Sequence, residues 1–303
     1  MDYETAGDPM TGLKWTRRTT EKIANELAAS GGIEVSANTV GRILKGLGYS
    51  LRVNHKTVSS GCSPDRDRQF QHIFATRDHF SRLGLPVVSV DTKKKELVGN
   101  FKNAGAAWHR QAVAVQDHDF RSQGLGLAVP YGIYDLQANR GSVFIGASHD
   151  TPQFAVSSIE KWWRYDGRRR YREAEELLIL ADGGGSNGYR CRAWKHALQQ
   201  FSNRQGITIT VNHYPPGTSK WNPIEHRLFS EISKNWAGRP LDSFETVQNY
   251  INTTTTTTGL RVKAYIDEKN YEKGIKVGAK QMKELNIQKD DVLPMWNYTI
   301  APV

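Results

Sequence analysis

Three carboxylates in this chain occur where metal-assisted phosphoryl transfer would need them. Asp91 ends the β-branched run Val87-Val88-Ser89-Val90, Asp182 follows the apolar run Leu177-Leu178-Ile179-Leu180-Ala181, and Glu225 follows Asn222-Pro223 where a helical pattern begins. A lone aspartate at a strand end is commonly a turn or capping residue; the set of three changes that reading. Gathered in one pocket, three carboxylates repel and raise one another's pKa unless a cation compensates. Hard oxygen donors favour Mg2+ or Mn2+, and magnesium takes few carboxylates while keeping waters and substrate phosphates. Two such ions about 3.5–4 Å apart can activate an attacking oxygen and stabilise a leaving one. Asp91, Asp182 and Glu225 are therefore the candidate metal-binding and catalytic set, with Mg2+ or Mn2+ as cofactor, as two ions.

The elements that must position these acids are two strands and a helix. Pro86 to Val90 reads as a buried strand, with residues 92–100 turning and pairing back on it. Leu177 to Ala181 is a second buried strand that delivers Asp182 into the turn Gly183-Gly184-Gly185-Ser186-Asn187-Gly188. Ile207 to Val211 is a third, and a helix through Trp194, Ala197, Leu198 and Phe201 covers the sheet between them. After Pro223, Ile224, Leu228, Ile232 and Trp236 recur at helical steps with Asn222 as the cap, which puts Glu225 in the first turn. Upstream, a helix over 65–83 buries Phe70, Ile73, Phe74 and Phe80. Residues 101–150 look β-rich, with Val113-Ala114-Val115 and a hairpin from 129–134 to 142–146. Asp117, His118 and Asp119 lack fixed ligand spacing and read as turn or strand-edge residues. A helix starts at Thr151, the six threonines 253–258 end a helix or connect two elements, and Leu260-Arg261-Val262 is strand-like. A polar helix spans 278–285, and no chemical role attaches to Met295–Ile300.

The N-terminal region has a different pattern. Thr20 caps a helix with Ile23, Ala24, Leu27 and Ala28 on one face, and Ser36 caps a second with Val40, Ile43, Leu44 and Leu47. Gly31-Gly32 separates them, and Arg42 and Lys45 lie on the polar face of the second. This is either a helix-turn-helix DNA reader or an ordinary helical hairpin. The polar stretch 50–66 reads as a linker. The organisation expected is a helical segment over 1–60 and an α/β domain over 61–303, a mixed sheet with helices on both faces.

The chain has 303 residues, enough for a full core, with 38% hydrophobic and 24% charged residues and a formal net charge of +10. Its pI is near 9.5. Such an excess of positive charge favours a polyanionic partner. Arg168, Arg169, Arg170 and Arg172, set among Trp163, Tyr165 and Tyr171, suit either a surface that tracks a nucleic-acid backbone or a solvated loop with buried tryptophans. Cys62 and Cys191 are too far apart in sequence to suggest a disulfide framework or a cysteine zinc site. No apolar run approaches the roughly 20 residues that span a bilayer, so no membrane association is expected and a cytoplasmic location is adopted.

The sequence resembles bacterial insertion-sequence transposases of the acidic-triad, ribonuclease-H-like class, and most closely the Rhodopirellula-type transposases. The residues that carry the resemblance are Ser89-Val90-Asp91-Thr92-Lys93-Lys94-Lys95-Glu96, Gln116-Asp117-His118-Asp119-Phe120, Ala181-Asp182-Gly183-Gly184-Gly185-Ser186-Asn187 and the long motif from Tyr214 to His226. It extends from about residue 9 to the C-terminus. The resemblance implies a ribonuclease-H-like fold in which Asp91, Asp182 and Glu225 bind divalent metal as the catalytic triad. It implies hydrolysis at a transposon end and attack of the freed 3′-hydroxyl on target DNA. It also implies double-stranded DNA as partner, as transposon ends and target, a homo-oligomer assembled on it, and association with the nucleoid when bound. Lys93, Lys94 and Lys220 join Arg42, Lys45, Arg168, Arg169 and Arg170 as expected DNA contacts, and Asn187, Asn222 and His226 as supports of the triad. Members of the family carry more chain before the equivalent of Gly7-Asp8-Pro9, so the resemblance implies a shortened copy. A transposase-derived DNA-binding protein without catalysis, or a related metal-dependent nuclease, is the alternative.

Overall fold

The computed structural model describes residues 5–7, 14–16, 18–51, 64–108 and 110–303. Most of the expected linker over 50–66, with Cys62, lies outside the described residues. The chain forms two compact units, Met1–Val58 and Ser59–Val303.

In the first unit, β1 (Thr5–Gly7) pairs antiparallel with β2 (Lys14–Thr16). Helices α1 (Thr20–Gly31) and α2 (Ala37–Gly46) follow. Thr19, not Thr20, caps α1, its side chain accepting from the Lys22 amide; Ser36 caps α2 by accepting from Thr39. Gly32 closes α1 in the left-handed region at φ 61°, where a side chain would be strained. Ile23, Ala24 and Val40 form the core between the helices, with Leu27, Val35 and Leu44 packed around them. Ile43 and Leu47 do not join them and are half or more exposed, because the face of α2 turned to α1 is centred on Val40 and Leu44.

The second unit is built on a mixed sheet. Its strands are β3 (Val87–Thr92), β4 (Glu96–Val98), β5 (Gly126–Asp135), β6 (Arg140–Gly146), β7 (Glu176–Ala181), β8 (Thr208–His213), β9 (Arg261–Asp267), β10 (Ile287–Lys289) and β11 (Asn297–Ile300). The spatial order is β10-β11-β8-β7-β3-β5-β6-β9, with β4 alongside β5. At the centre β3 runs antiparallel to β5 and β5 to β6, while β3, β7 and β8 are mutually parallel. This is the expected α/β arrangement, a mixed sheet with helices on both faces. Parallel neighbours need a crossover, and α6 (Arg192–Gln205) supplies the one from β7 to β8.

Alternation along the strands divides the core by face. Val88, Val90, Leu177, Ile179 and Ala181 pack with α6 and α4 (Pro152–Trp162) on one side, and the short α5 (Arg168–Arg170) follows α4 in the chain. On the other, Leu178 and Leu180 meet Ile73 and Phe80 of α3 (Arg66–Arg82) and Val87. Further along that side, Ile224, Leu228, Phe229 and Ile232 pack with Val247 and Ile251. The first group leads into α7 (Ser230–Asn235), and the last two residues belong to α8 (Phe244–Asn252). Thr253 caps α8 and the threonine run leads on towards β9, so the run is a connection.

Several local expectations change. β4 pairs with β5, Glu96 opposite Ala128, because both edges of β3 are already taken by β5 and β7. Among the described residues 100–125 there is no strand, only the 3-10 turn Arg121–Gln123. The short run at Val113 finds no partner, and Val113 is 47% exposed. Phe74 is 53% exposed, and Gln69 is fully buried on the inner face of α3 instead. The Met295–Ile300 tail becomes β11, pairing with β8 within the central sheet. The polar helix is the short α9 (Ala279–Lys283). No helix among the described residues is long and apolar enough to cross a membrane.

Candidate active site

Asp91 and Asp182 are brought together by strand register. β3 and β7 are parallel neighbours with Val90 opposite Ala181, so the next residue on each is an aspartate. Asp91 shares a face with Val87 and Ser89, and Asp182 continues the face of Leu178 and Leu180. That face is the one covered by the segment after Pro223. There the helix opens with a π turn, Glu225–Phe229, before α7; π turns recur at functional sites.

One buried side chain ties the three segments. Asn222 donates to Asp182 Oδ1 at 3.1 Å and to the Val90 carbonyl at 3.4 Å, and its own carbonyl accepts from the Ser89 hydroxyl. Ser89 Oγ in turn accepts from the Ile224 amide at 3.1 Å. Ser89 lies two residues before Asp91 and Asn222 three before Glu225, so every acid is within a few bonds of this network. Gly132 makes the fit possible. It lies opposite Asp91 on β5, and a Cβ there would stand 2.5 Å from the Phe229 ring and 2.9 Å from Ile224 Cδ1.

A second chain of hydrogen bonds fixes the start of the Asp182 turn. Burial pushes the His213 pKa down to about 4, so the imidazole is neutral. The Asp182 carbonyl, 3.0 Å from His213 Nδ1, can only accept, which places the proton on Nδ1. Nε2 therefore accepts from the Tyr298 hydroxyl at 3.1 Å, and Tyr298 accepts from Trp194 Nε1 at 2.9 Å. The His213 carbonyl accepts from Gln69, whose amide also pairs with Asn297.

The electrostatics match a cluster short of positive charge. Burial, then the charge of Asp182, pushes Asp91 up to about 8, with smaller contributions from Glu225 and Asp150; the Thr92 amide, 2.7 Å away, opposes them. Asp182 rises to about 6 through burial and Glu225, against the Asn222 hydrogen bond. Burial also raises Glu225, opposed by His226 and Lys93. An all-oxygen donor set that holds protons near neutrality suits a hard divalent cation. Among the described residues, no group of three or more His, Cys, Asp or Glu side chains is gathered closely enough to hold an ion unaided. Water and phosphate oxygens would complete the shell of an ion carried by Asp91 and Asp182, as is usual for magnesium.

A family profile described as the Rhodopirellula transposase DDE domain matches residues 1–302. The chain belongs to that family. No curated protein sequence matches it. Among solved structures, this transposase-family chain is similar to a Mos1 transposase paired-end complex with the left transposon end, at 15% identity and a TM-score of 0.45. It is also similar to the Mos1 strand transfer complex, at 16% identity and 0.45, and to a Mos1 mariner paired-end complex with Mn, at 16% and 0.43. Each comparison covers 77% of this chain but only 64–65% of the Mos1 chain.

The other residues singled out in the sequence of this family member fall into two groups. Arg42, Lys45, Lys94, Arg168, Arg169, Lys220 and His226 are exposed. His226 Nε2 donates to the Lys220 carbonyl. Lys93 and Arg170 turn inward instead. Lys93 is 6% exposed, donates to Glu96 at 2.8 Å and lies 4.4 Å from the centre of the Trp236 ring. Arg170 binds both oxygens of Asp166 at 2.8 Å and approaches Asp135. Asn187 is buried and accepts from the Tyr131 hydroxyl at 2.9 Å, bracing the glycine turn from β5. Asp150, Ser89, His213 and Tyr298 were not legible as site residues. Asp150 accepts from Thr92 Oγ1 and pairs with Lys95 at 3.7 Å, yet in sequence it only precedes a helix cap.

Proposed function

We propose that this chain is a DNA transposase that works by metal-dependent phosphoryl transfer, with Asp91, Asp182 and Glu225 as its acidic triad. The observation that supports the reading is the Asn222 network, which joins the Asp182 carboxylate to the strand that ends at Asp91 and to the helix start that carries Glu225. Mg2+ or Mn2+, held by these acids as two ions, would supply positive charge to the attacking and leaving oxygens. The chain's own groups supply orientation. The Thr92 amide fixes the Asp91 carboxylate, Asn222 fixes that of Asp182, and the His213–Tyr298–Trp194 series holds the Asp182 backbone. Lys94 and Lys220, exposed and close in sequence to Asp91 and Glu225, are the cations this reading assigns to backbone phosphates.

In this reading water attacks phosphorus at the element end and the bond to the 3′-oxygen breaks; the 3′-hydroxyl so released attacks a phosphorus of target DNA, whose own 3′-oxygen is displaced and leaves as a hydroxyl. Residues 1–60, with Arg42 and Lys45 on the second helix, serve as the DNA-binding segment of a homo-oligomer, and 61–303 as the catalytic domain. The test is cleavage of DNA carrying the flanking element ends in Mg2+ or Mn2+, with Asp182→Ala alongside. Cleavage by the parent and none by the variant is expected. Equal cleavage by both would overturn the triad, and DNA binding without cleavage by either would favour a non-catalytic descendant.

A further inference from the structure

Next to the carboxylate site the surface carries a ladder of aromatic rings that the reaction described above does not use. Trp221 and Phe74 are each 53% exposed, although large apolar rings are ordinarily withdrawn from water. Phe70 bridges them, edge-on to Trp221 at 6.0 Å between centroids and stacked on Phe74 at 6.4 Å. Each ring has its own cation: Lys220 lies 5.6 Å from the Trp221 centroid, Arg66 5.8 Å from Phe70 and Arg77 5.2 Å from Phe74. The ladder is anchored to the site itself. Phe70 packs on Tyr214 at 6.1 Å, and the Tyr214 amide bonds Ala181, the residue before Asp182. Trp221 directly precedes Asn222, which holds the Asp182 carboxylate.

We propose that Trp221, Phe70 and Phe74 form a stacking platform for unpaired bases of a DNA strand whose backbone passes the carboxylates. Exposed rings interleaved with cations are the recognition chemistry of single-stranded nucleic acid, since every base has a face to stack and every nucleotide a phosphate to pair. A duplex interior offers no free base face, so the platform selects frayed or overhanging ends over blunt ones. On α3, Asp78 is paired with Arg82 and Asp67 lies next to Arg66 in sequence, while Arg66, Arg77 and Lys220 are the cations beside the rings. The inference rests on DNA being the substrate, but not on catalysis.

The test is fluorescence anisotropy of the full chain in EDTA with a labelled duplex, blunt or bearing a single-stranded overhang. The parent protein is expected to prefer the overhang. Trp221→Ala and Phe74→Ala should each lose about 5- to 150-fold in affinity for the overhang duplex, the range of one stacked base. Blunt-duplex binding should be unchanged, and Trp221→Phe should keep most of the preference. Thermal melts check folding, and Phe74→Ala, on an exposed helix face, carries the test if Trp221→Ala unfolds. Equal overhang binding by the parent and both alanine variants would overturn the platform while leaving DNA as substrate. If the parent binds neither duplex, the DNA reading and the platform fall together. A shift from dimer to monomer on sedimentation of Trp221→Ala, with overhang binding intact, would assign the rings to a second copy of the chain and also overturn the proposal.

Discussion

Asn222 binds the Asp182 carboxylate through its amide nitrogen at 3.1 Å while its amide oxygen accepts from the Ser89 hydroxyl. A fully buried amide with both ends satisfied is specific in a way that burial alone is not, because losing either partner strands a polar group. Asn222→Ala is expected to cost about 1–3 kcal/mol in urea unfolding. Combined with Ser89→Ala, the two losses should fall short of their sum, with a coupling of about 0.5–3 kcal/mol for groups in one network. Strictly additive losses would show that the two side chains act separately.

Gly132 lies opposite Asp91 and under the Glu225 segment, so it tests whether the π turn is held by packing. Gly132→Ala would drive a methyl into Phe229 and Ile224, and overpacking of this kind costs about 1–3 kcal/mol. DNA cleavage should fall further than stability does, since displacing the segment moves Glu225. A variant with parent-like cleavage would mean the segment tolerates the shift.

Carboxylates that raise one another's pKa should be relieved by a cation. Adding Mg2+ or Mn2+ to the purified chain is expected to raise its melting temperature, as any ligand of the native state does. The shift should disappear in the Asp91→Asn, Asp182→Asn double variant. An equal shift in parent and variant would place the ion elsewhere.

Tyr298 stands between His213 Nε2 and Trp194 Nε1, donating to one and accepting from the other. Tyr298→Phe leaves two buried nitrogens without partners and is expected to cost about 1–3 kcal/mol for each such group. His213→Gln should be tolerated better than His213→Leu, because an amide can still bond the Asp182 carbonyl. The reverse order in urea midpoints would count against the assigned tautomer.

Asp135 is inaccessible, and burial raises its pKa despite hydrogen bonds from Tyr171, Ala138 and Gln137 and the nearby Arg170. The folded state therefore binds this proton more tightly than the unfolded chain, whose carboxyl titrates near pH ~3.9. Its stabilisation is complete below that pH and is lost as pH rises through the folded value. Asp135→Asn should flatten this part of the pH dependence, so the parent's advantage over the variant should shrink as pH rises above about 4. A difference independent of pH would show that the carboxyl titrates alike in both states.

What the sequence determined by itself was local and periodic. The apolar runs before Asp91 and Asp182, the Ser36 cap, the hairpin joining β5 and β6 and the crossover helix through Trp194 all follow from side-chain size, branching and spacing within a short window. Asp91 and Asp182 could be named because each stands at the end of such a run, and Glu225 because it opens a helical pattern after Asn222-Pro223. Pairing and position at a distance were decided only by tertiary structure. Thr92 to Asn100 cannot fold back on β3, because β5 and β7 fill both of its edges, and Phe74 yields the inner face of α3 to Gln69 because Asn297 and the His213 carbonyl offer that amide partners. The C-terminal tail, silent in sequence, supplies Tyr298 to the site, and Lys93, which reads as a surface cation, is buried against Trp236. Hydrogen bonds and ring contacts across more than a hundred residues leave no periodicity to read; they exist only once the sheet has set its strand order.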